Sequence, residues 1–217
     1  MRSGLSPEAD PGEGAAEMEI NPYLSREQRA ILANARIGIA GAGGLGSNCA
    51  MHLVRSGIRH LVIADFDRVS ESNLNRQFFF ADQIGRKKVE ALGVNLLRIV
   101  PELDLELLAE EVTGGNAVTL FGACDIVIEA FDSAAAKQML IRTMTAAGKT
   151  VVAASGIGGL GRSNALRLHR MAGGKLYVAG DLESDVAGGF DPFSPRVGIV
   201  AAMQANTVIA LLLGEEP

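Results

Sequence analysis

The sequence predicts an α/β fold with a mainly parallel sheet, helices on both of its faces and an antiparallel extension. Short apolar runs alternate with helical stretches from about residue 25 to the end of the chain, and this alternation is typical of βαβ units. Between 164 and 178, two strand-like runs follow each other without a helix between them. That pair favours an antiparallel addition to the sheet.

The length of 217 residues suits one domain with a complete core, and we assign residues 20–217 to a single nucleotide-binding domain. Residues 1–19 are rich in Gly, Pro, Glu and Ala, so we expect a flexible tail there. The net charge of −5 and the lack of a long basic run argue against a nucleic-acid partner.

No run of 18 apolar residues occurs, so we expect no membrane partner. The apolar stretch from Ile199 to Leu213 is interrupted by Gln204 and Asn206, which favours a buried helix. The N-terminus lacks the apolar segment of a signal peptide. We therefore expect a cytoplasmic location.

Hydrophobic periodicity, together with residues that start or end helices, predicts the secondary-structure elements in order. A capping box at Ser25–Gln28 begins a helix that runs to about Asn34. Strands are predicted at 37–40, 60–64, 103–107, 126–130, 150–154, 162–170 and 176–178, and further helices at 45–56, 85–99, 113–121, 134–147 and 197–213.

The segment from Ile37 to Lys88 organises the rest of the chain. Its first strand leads into a turn that contains four glycines: Gly41, Gly43, Gly44 and Gly46. Glycines let the backbone turn sharply and approach a ligand, and the N-terminus of the helix that follows attracts phosphate oxygens. The second strand ends at Asp65, an acid suited to ribose hydroxyls. The sequence therefore predicts a Rossmann-like nucleotide site.

Four polar features at the predicted strand ends favour a triphosphate over a nicotinamide cofactor. Asp67 follows the second strand, and the loop 73–77 carries amides and the guanidinium of Arg76, which suits phosphate. Lys88 stands at a helix start, where the dipole disfavours a cation unless an anion lies nearby. Asp132 follows a further strand, and a carboxylate facing phosphates usually shares Mg²⁺ with them.

Each of these residues also has a simpler interpretation when it is taken alone. Arg76 could form a surface ion pair, and Lys87 and Lys88 could lie on a solvated helix face. Asp67 could serve a turn, and Asp132 could cap the helix that follows it. The joint pattern, rather than any single residue, favours a nucleotide with a metal.

Together these motifs resemble those of the ThiF/MoeB family, adenylating enzymes related to ubiquitin-activating enzymes. The similarity extends over about Ser25 to Gly214 and includes GAGGLGS, DFD, SNLNRQF, GRKKVE, the aspartate after the fourth strand and the C-terminal RVGIVAAMQAN. The block SNLNRQ and its neighbours are specific in combination. The glycine segment and the short C-terminus resemble in particular the short ThiF form assigned to thiamine biosynthesis.

The resemblance implies an adenylyltransferase that uses ATP and Mg²⁺. Its substrate would be the C-terminal Gly-Gly carboxylate of a small ubiquitin-like sulfur carrier protein similar to ThiS. That carboxylate would attack the α-phosphate and release pyrophosphate, and catalysis would depend on positioning and electrostatics without a protein nucleophile. A homodimer is also implied.

The resemblance assigns roles to individual residues. Three would be catalytic: Arg76 on phosphate, Lys88 at the α-phosphate and Asp132 as the magnesium ligand. The nucleotide would also be bound by Gly41, Gly43, Gly44, Gly46, Asp65, Asp67, Ser72, Asn73, Asn75, Gln77 and Ser133. Asp65 would hold the ribose.

The sequence departs from the family pattern in its cysteines. It lacks the C-x-x-C pairs that hold zinc in many members, so no zinc is expected. Its two cysteines, Cys49 and Cys124, are expected to be small buried residues. Because no cysteine follows Cys124, we expect adenylation to be the final step. The family's arginine that acts across a dimer has two candidates, Arg26 and Arg29.

A second glycine cluster at 156–161 repeats the first pattern, but a strand-like run follows it instead of a helix. A phosphate site needs a helix N-terminus, so we interpret this cluster as a flexible backbone passage. We further hypothesise that it lines a narrow slot for the Gly-Gly tail, in which a bulky residue at Gly158 would impair use of the carrier more than ATP binding.

Three other functions stay open at this point. A tRNA-modifying dehydratase of the same superfamily should have a basic surface, whereas this chain is acidic. An NAD-dependent oxidoreductase would require nicotinamide and give no joint role to Arg76, Lys88 and Asp132. A non-catalytic half of a heterodimeric activating enzyme would tend to lose the phosphate-binding cations, which this chain retains.

Overall fold

The strands and helices come from a computed structural model that describes residues 20–185 and 188–217. The strands are β1 (Arg36–Ala40), β2 (His60–Ala64), β3 (Asp104–Leu108), β4 (Ile126–Glu129), β5 (Thr150–Ala154), β6 (Arg167–Met171) and β7 (Leu176–Gly180). The helices are α1 (Arg26–Asn34), α2 (Gly44–Ser56), α3 (Lys88–Leu97), α4 (Ala117–Phe121), α5 (Ala134–Ala146) and α6 (Ser194–Leu213). The predicted tail at 1–19 lies outside the described residues.

The strands form one sheet in the order β3-β2-β1-β4-β5-β7-β6. All neighbouring pairs are parallel except β6 and β7, which form an antiparallel hairpin at one edge. This confirms the predicted Rossmann-like class and its antiparallel extension, although β7 itself continues the parallel part of the sheet. The strand order reverses between β1 and β4, and ligands of open α/β sheets bind at the carboxyl ends of strands beside such a reversal.

Side chains alternate along the strands and divide the core between the two faces of the sheet. Ile37 and Ile39 of β1 pack with α1, α2, α3 and α6, whereas Ala40 packs with Phe121 of α4 and Leu140 of α5 on the other face. Helices therefore cover both faces, as predicted.

One described helix, α6, is long and apolar enough to pass a test for membrane crossing based on length and composition. About half of its apolar window is buried inside the protein, and the buried helix of a soluble core passes the same test. Its inward-facing residues include Val197, Val200, Ala201 and Val208. The expectation of a core helix at this position is confirmed.

The helix predicted at 85–99 is Lys88–Leu97 and the helix predicted from 197 begins at Ser194. Two other predicted starts are wrong by four or more residues, for local reasons. The helix expected from residue 113 begins at Ala117, because the side-chain oxygen of Asn116 accepts the backbone N–H of Thr113 at 2.7 Å and closes a turn there. The strand expected from residue 162 begins only at Arg167, because a 3₁₀ turn over Ser163–Ala165 precedes it.

Both cysteines are fully buried, as predicted. Burial raises the pKa of the Cys49 thiol above its ordinary value. Burial also raises the pKa of Cys124 to about 11, although the nearby Arg36 opposes the shift. Neither thiol is therefore poised to act as a nucleophile near neutral pH.

Candidate active site

The glycine loop between β1 and α2 is packed so closely that two of its positions require glycine. Gly41 has φ +100°, and a Cβ there would lie 2.7 Å from the carbonyl oxygen of Ala130. A Cβ on Gly46 would overlap the carbonyl oxygen of Gly41. The loop therefore lies directly against the end of β4, and the first turn of α2 presents its N–H groups at this edge.

Asp65 joins the end of β2 to the glycine loop. One of its carboxylate oxygens accepts the N–H of Ala42 at 2.7 Å, and the other accepts the N–H of Asp67 at 2.8 Å. Each oxygen can accept more than one hydrogen bond, so the carboxylate can still bind a ribose hydroxyl. Its predicted contact with the ribose stays a prediction.

Lys88 is paired with Asp67 inside the chain. Its Nζ lies 2.7 Å from Oδ2 of Asp67, and its N–H donates to the carbonyl oxygen of Asp67 at 2.9 Å. Lys88 is buried, so the interpretation as a solvated helix face is wrong for it and fits only Lys87, which pairs with Glu90. The anion that balances this cation at the helix start is the carboxylate of Asp67.

The polar loop after β2 folds around its own side chains. The side-chain oxygen of Asn73 accepts the N–H of Ser70 at 3.0 Å, and the hydroxyls of Ser70 and Ser72 lie 2.9 Å apart. Nη1 of Arg76 donates to Oδ1 of Asn75 at 2.7 Å and to the carbonyl oxygen of Ser72 at 3.2 Å. Among the residues that the structure describes, no acid pairs with Arg76, so this part of the chain gives no support to the surface ion-pair interpretation.

This loop is fastened to the first turns of α2. Asn48 donates from its side chain to the carbonyl oxygen of Arg76 at 2.9 Å, and the hydroxyl of Ser47 accepts the N–H of Phe78 at 3.0 Å. Cγ of Arg76 lies 3.4 Å from the point where a Cβ on Gly44 would stand. The guanidinium is therefore anchored beside the glycine loop.

Gln77 is buried next to the same loop. Nε2 lies 3.9 Å from the position of a Cβ on Gly43, and Oε1 is buried without a hydrogen-bond partner among the described residues. A buried polar atom without a partner is uncommon in folded proteins. Its position agrees with the expectation that Gln77 contacts a bound molecule, and that contact stays a prediction.

Asp132 lies beyond the end of β4 and is exposed. The residue that caps α5 is Ser133, whose hydroxyl accepts the N–H of Ala136 at 3.4 Å, so Asp132 is not the helix cap. Within the described ranges no group of three His, Cys, Asp or Glu side chains could hold a metal ion. A single carboxylate fits Mg²⁺, since this ion commonly binds through one or two carboxylates together with substrate phosphates and water.

These side chains follow the carboxyl ends of neighbouring strands of the sheet. β1 lies between β2 and β4, and neighbouring strands are about 4.8 Å apart, so the ends of β2 and β4 are separated by roughly 10 Å. The Asp67–Lys88 pair follows β2, the glycine loop follows β1, and Asp132 follows β4. That separation matches the size of a nucleotide phosphate chain.

A cavity of about 390 Å³ opens next to Arg76. It is lined by Asn75, Arg76, Asp191, Pro192, Phe193 and Ser194. Residues 191–194 were not among the site residues predicted from the sequence. Their only signal in the sequence was the Asp-Pro-Phe-Ser-Pro segment that leads into α6, which indicates a break between secondary-structure elements but not where the segment lies.

Two ion pairs whose carboxylates are buried were also not predicted from the sequence. Glu129, the last residue of β4, pairs with Lys137 of α5 at 3.1 Å, and Asp181, after β7, pairs with Arg196 of α6 at 2.8 Å. In both pairs the sequence showed the acid, because it stands at the end of an apolar strand. The basic residue of each pair lies on a helix, and the sequence separation between acid and base matches no known motif.

The second glycine cluster is packed against the loop that follows β7. A Cβ on Gly156 would overlap Oδ1 of Asp181, and a Cβ on Gly158 would overlap the carbonyl oxygen of Phe190. The space above Gly158 is thus filled by the chain itself. The idea that this glycine leaves room for a peptide tail loses its basis, and a bulky residue there would disturb the fold first.

Arg26 and Arg29 both lie on α1, which packs against α6 and leads into the amino end of β1. Nη1 of Arg29 donates to the carbonyl oxygen of Leu24 at 2.6 Å. The action of either residue across a dimer stays a prediction.

Comparison with known sequences identifies relatives of the whole domain. The profile of the ThiF family matches residues 16–217. The adenylyltransferase and sulfurtransferase UBA4 of Eremothecium gossypii is 30% identical over 84% of this chain and 39% of its own length. The sulfur carrier protein ThiS adenylyltransferase of Escherichia coli is 29% identical over 85% of this chain and 75% of its own length. The chain therefore spans less than half of the UBA4 proteins it matches.

Solved structures share the fold. The E. coli tRNA N6-threonylcarbamoyladenosine dehydratase TcdA in complex with ATP aligns with a TM-score of 0.80 at 22% identity, over 87% of this chain and 90% of that chain. E. coli MccB with ATP aligns with a TM-score of 0.66 at 21% identity, over 85% of this chain and 57% of that chain. Because the ThiF family profile matches residues 16–217, which include the whole of the described chain, this chain belongs to the ThiF family.

Proposed function

We propose that this protein is an adenylyltransferase that uses ATP to activate the C-terminal Gly-Gly carboxylate of a small ubiquitin-like sulfur carrier protein. The observation that supports the proposal is that Arg76 lies beside Gly44 of the glycine loop, while Lys88, through its pair with Asp67, and Asp132 follow the carboxyl ends of the two strands on either side of β1. Relatives named adenylyltransferases that match most of this chain support it.

The nucleotide would lie across the carboxyl ends of β2, β1 and β4. Its phosphates would approach the N-terminus of α2, which the dipole makes favourable for anions. Asp65 would accept from the ribose hydroxyls. Arg76 would offer its planar guanidinium to two phosphate oxygens at once, a contact that a lysine cannot reproduce.

The reaction joins a carrier carboxylate oxygen to the α-phosphorus of ATP. As that O–P bond forms, the bond from the α-phosphorus to the oxygen that bridges to the β-phosphate breaks, and pyrophosphate leaves. Lys88 is paired with Asp67, so its ammonium would stabilise the charge on the α-phosphate with little reorganisation. Asp132 would hold Mg²⁺, which neutralises phosphate charge when it is bound.

Further details of this proposal come from the relatives and from the family resemblance. We propose a ThiS-like carrier and a role in thiamine biosynthesis, which the named ThiS adenylyltransferase of E. coli supports. We also propose a cytoplasmic homodimer without zinc, on the resemblance and the lack of C-x-x-C pairs in the sequence.

Mass spectrometry of the carrier tests this function. The purified protein is incubated with ATP, Mg²⁺ and a sulfur carrier that ends in Gly-Gly, and the intact mass of the carrier is measured. We expect a carrier adenylate and one pyrophosphate for each adenylate. A carrier without its last glycine is the control. If no Gly-Gly carrier is adenylated while ATP is bound, the proposed function is wrong.

A tRNA dehydratase is the second candidate, because TcdA aligns over 90% of its chain. That likeness, at 22% identity, concerns the fold alone. The net charge of −5 does not favour binding of a polyanion. Incubation with ATP and tRNA that carries N6-threonylcarbamoyladenosine distinguishes the two, since a dehydratase would convert that nucleoside and leave the carrier unmodified.

A further inference from the structure

An ion pair with a fully buried carboxylate adjoins the turn that carries Asp132. Glu129 ends β4 and is fully buried, and both of its carboxylate oxygens lie 3.1 Å from Nζ of Lys137. Lys137 belongs to the first turn of α5, which begins two residues after Asp132. The pair therefore connects the segments on either side of Asp132.

The same pair shapes the backbone of the turn. Oε1 of Glu129 accepts the N–H of Phe131 at 2.7 Å, so the chain folds back over this carboxylate. Nζ of Lys137 also donates to the carbonyl oxygen of Ala154, at the end of β5, at 3.1 Å. Gln204 of α6 donates to the carbonyl oxygen of Glu129 at 3.0 Å. The end of β4 is thus held from three neighbouring elements.

Two features argue against a role in stability alone. The Glu129 carboxylate is fully buried and the Lys137 side chain is 22% exposed, and an ion pair largely removed from water is often no more stabilising than well-packed apolar residues. Lys137 also stands in the first turn of a helix, where the dipole opposes a cation. Burial raises the pKa of Glu129, and the ammonium of Lys137 and the N–H of Phe131 oppose that shift.

We infer that Glu129 and Lys137 are positioning residues that fix the direction of the Asp132 carboxylate toward a metal-bound triphosphate. The inference rests on the proposed function and deepens it. Glu129 is fully buried, so it would act through the turn that carries Asp132 rather than by direct contact with the nucleotide. Groups that orient a metal ligand from behind typically change metal affinity or activity by about 10- to 100-fold when they are replaced.

The double variant Glu129→Gln, Lys137→Met tests the inference, because it removes both charges at similar size and leaves neither one unpaired. Calorimetry measures the affinity for a non-hydrolysable ATP analogue with and without Mg²⁺, and thermal unfolding is recorded alongside. We expect the gain in affinity that Mg²⁺ provides to fall by about 10- to 100-fold. Binding without Mg²⁺ and the unfolding temperature should change little. The single variant Lys137→Arg keeps the positive charge and should retain the gain in affinity that Mg²⁺ provides.

Asp125→Asn is the matched control. Asp125 precedes the same strand at its opposite end, where it accepts the N–H of Arg36 at 2.8 Å. This variant should leave the gain from Mg²⁺ unchanged.

Three outcomes would overturn the inference. One is an unchanged gain from Mg²⁺ in a folded double variant. Another is a double variant that unfolds together with an unchanged gain in Glu129→Asp, which keeps the charge but shortens the carboxylate. The third is a wild type that binds the analogue no better with Mg²⁺, which would remove the metal from the proposed function as well.

Discussion

Nζ of Lys88 lies 2.7 Å from Oδ2 of Asp67, and the lysine side chain is 8% exposed while that of the aspartate is 50% exposed. The cation is therefore fixed from the protein side, and the aspartate faces the open edge of the sheet. This arrangement suits an electrostatic catalyst, because its ammonium does not need to reorganise when charge develops on the substrate.

Lys88→Met should lower the rate of adenylate formation by about 10²- to 10³-fold, the usual loss when one preorganised charge or donor is removed. Lys87→Met is the matched control, since Lys87 is half exposed and pairs with Glu90 at the surface. Its rate should stay near that of the wild type. Equal rates for the two variants would contradict the role of Lys88.

Gly46→Ala should destabilise the protein by about 1–3 kcal/mol, the usual cost of forcing an extra group into a packed site. Its Cβ would overlap the carbonyl oxygen of Gly41 and displace the glycine loop. Urea unfolding measures the change, and calorimetry should show weaker binding of ATP.

Gly198→Ala is the matched control, because Gly198 is also a glycine inside a helix. A Cβ on Gly198 of α6 would meet no atom within 4 Å. The change should stabilise the helix by up to about 1 kcal/mol because alanine is the better helix former. If both variants had the same unfolding free energy as the wild type, the close packing of the loop would be refuted.

Much of the fold was predictable from the sequence because its signals are local. Strands β2 and β5 lie at the predicted positions, His60–Ala64 and Thr150–Ala154, since continuous apolar runs mark buried parallel strands. The capping box at Ser25 is present with both reciprocal hydrogen bonds. Such signals need only a few neighbouring residues.

The residues that sequence reasoning missed depend on contacts between distant segments. Lys137 and Glu129 belong to different elements, and the space over Gly158 is filled by Phe190 from a later loop. No periodicity encodes such contacts. For Lys88, the sequence showed a cation at the start of a helix, where the dipole is unfavourable. Only the structure showed that its partner is the carboxylate of Asp67.

Asp181→Asn should destabilise the protein by about 3–5 kcal/mol at neutral pH, since it leaves Arg196 buried without its carboxylate. Burial alone would raise the pKa of Asp181. Hydrogen bonds from the hydroxyl and N–H of Ser184, the N–H of Glu183 and the Arg196 guanidinium outweigh it and hold that pKa well below its ordinary value.

This lowered pKa determines how the effect of the variant depends on pH. Asp181 has a lower pKa in the folded protein than in the unfolded chain, where its pKa is near 3.8. Its full contribution to the unfolding free energy is therefore present above pH 3.8, and it is lost as the pH falls toward the pKa of the folded protein. The difference in unfolding free energy between wild type and variant should therefore shrink below about pH 4. A difference that stays constant from pH 7 to pH 3 would contradict this assignment.

ATP–pyrophosphate exchange in the presence of a Gly-Gly carrier tests the central claim most directly, that a triphosphate and its metal lie between the ends of β2 and β4. We compare wild type with Asp132→Asn, and with Asp104→Asn at the opposite edge of the sheet, where Asp104 pairs with His60. Wild type and Asp104→Asn should exchange equally, and Asp132→Asn should be slower by about 10²-fold or more. Exchange that proceeds at the wild-type rate in Asp132→Asn would contradict the account.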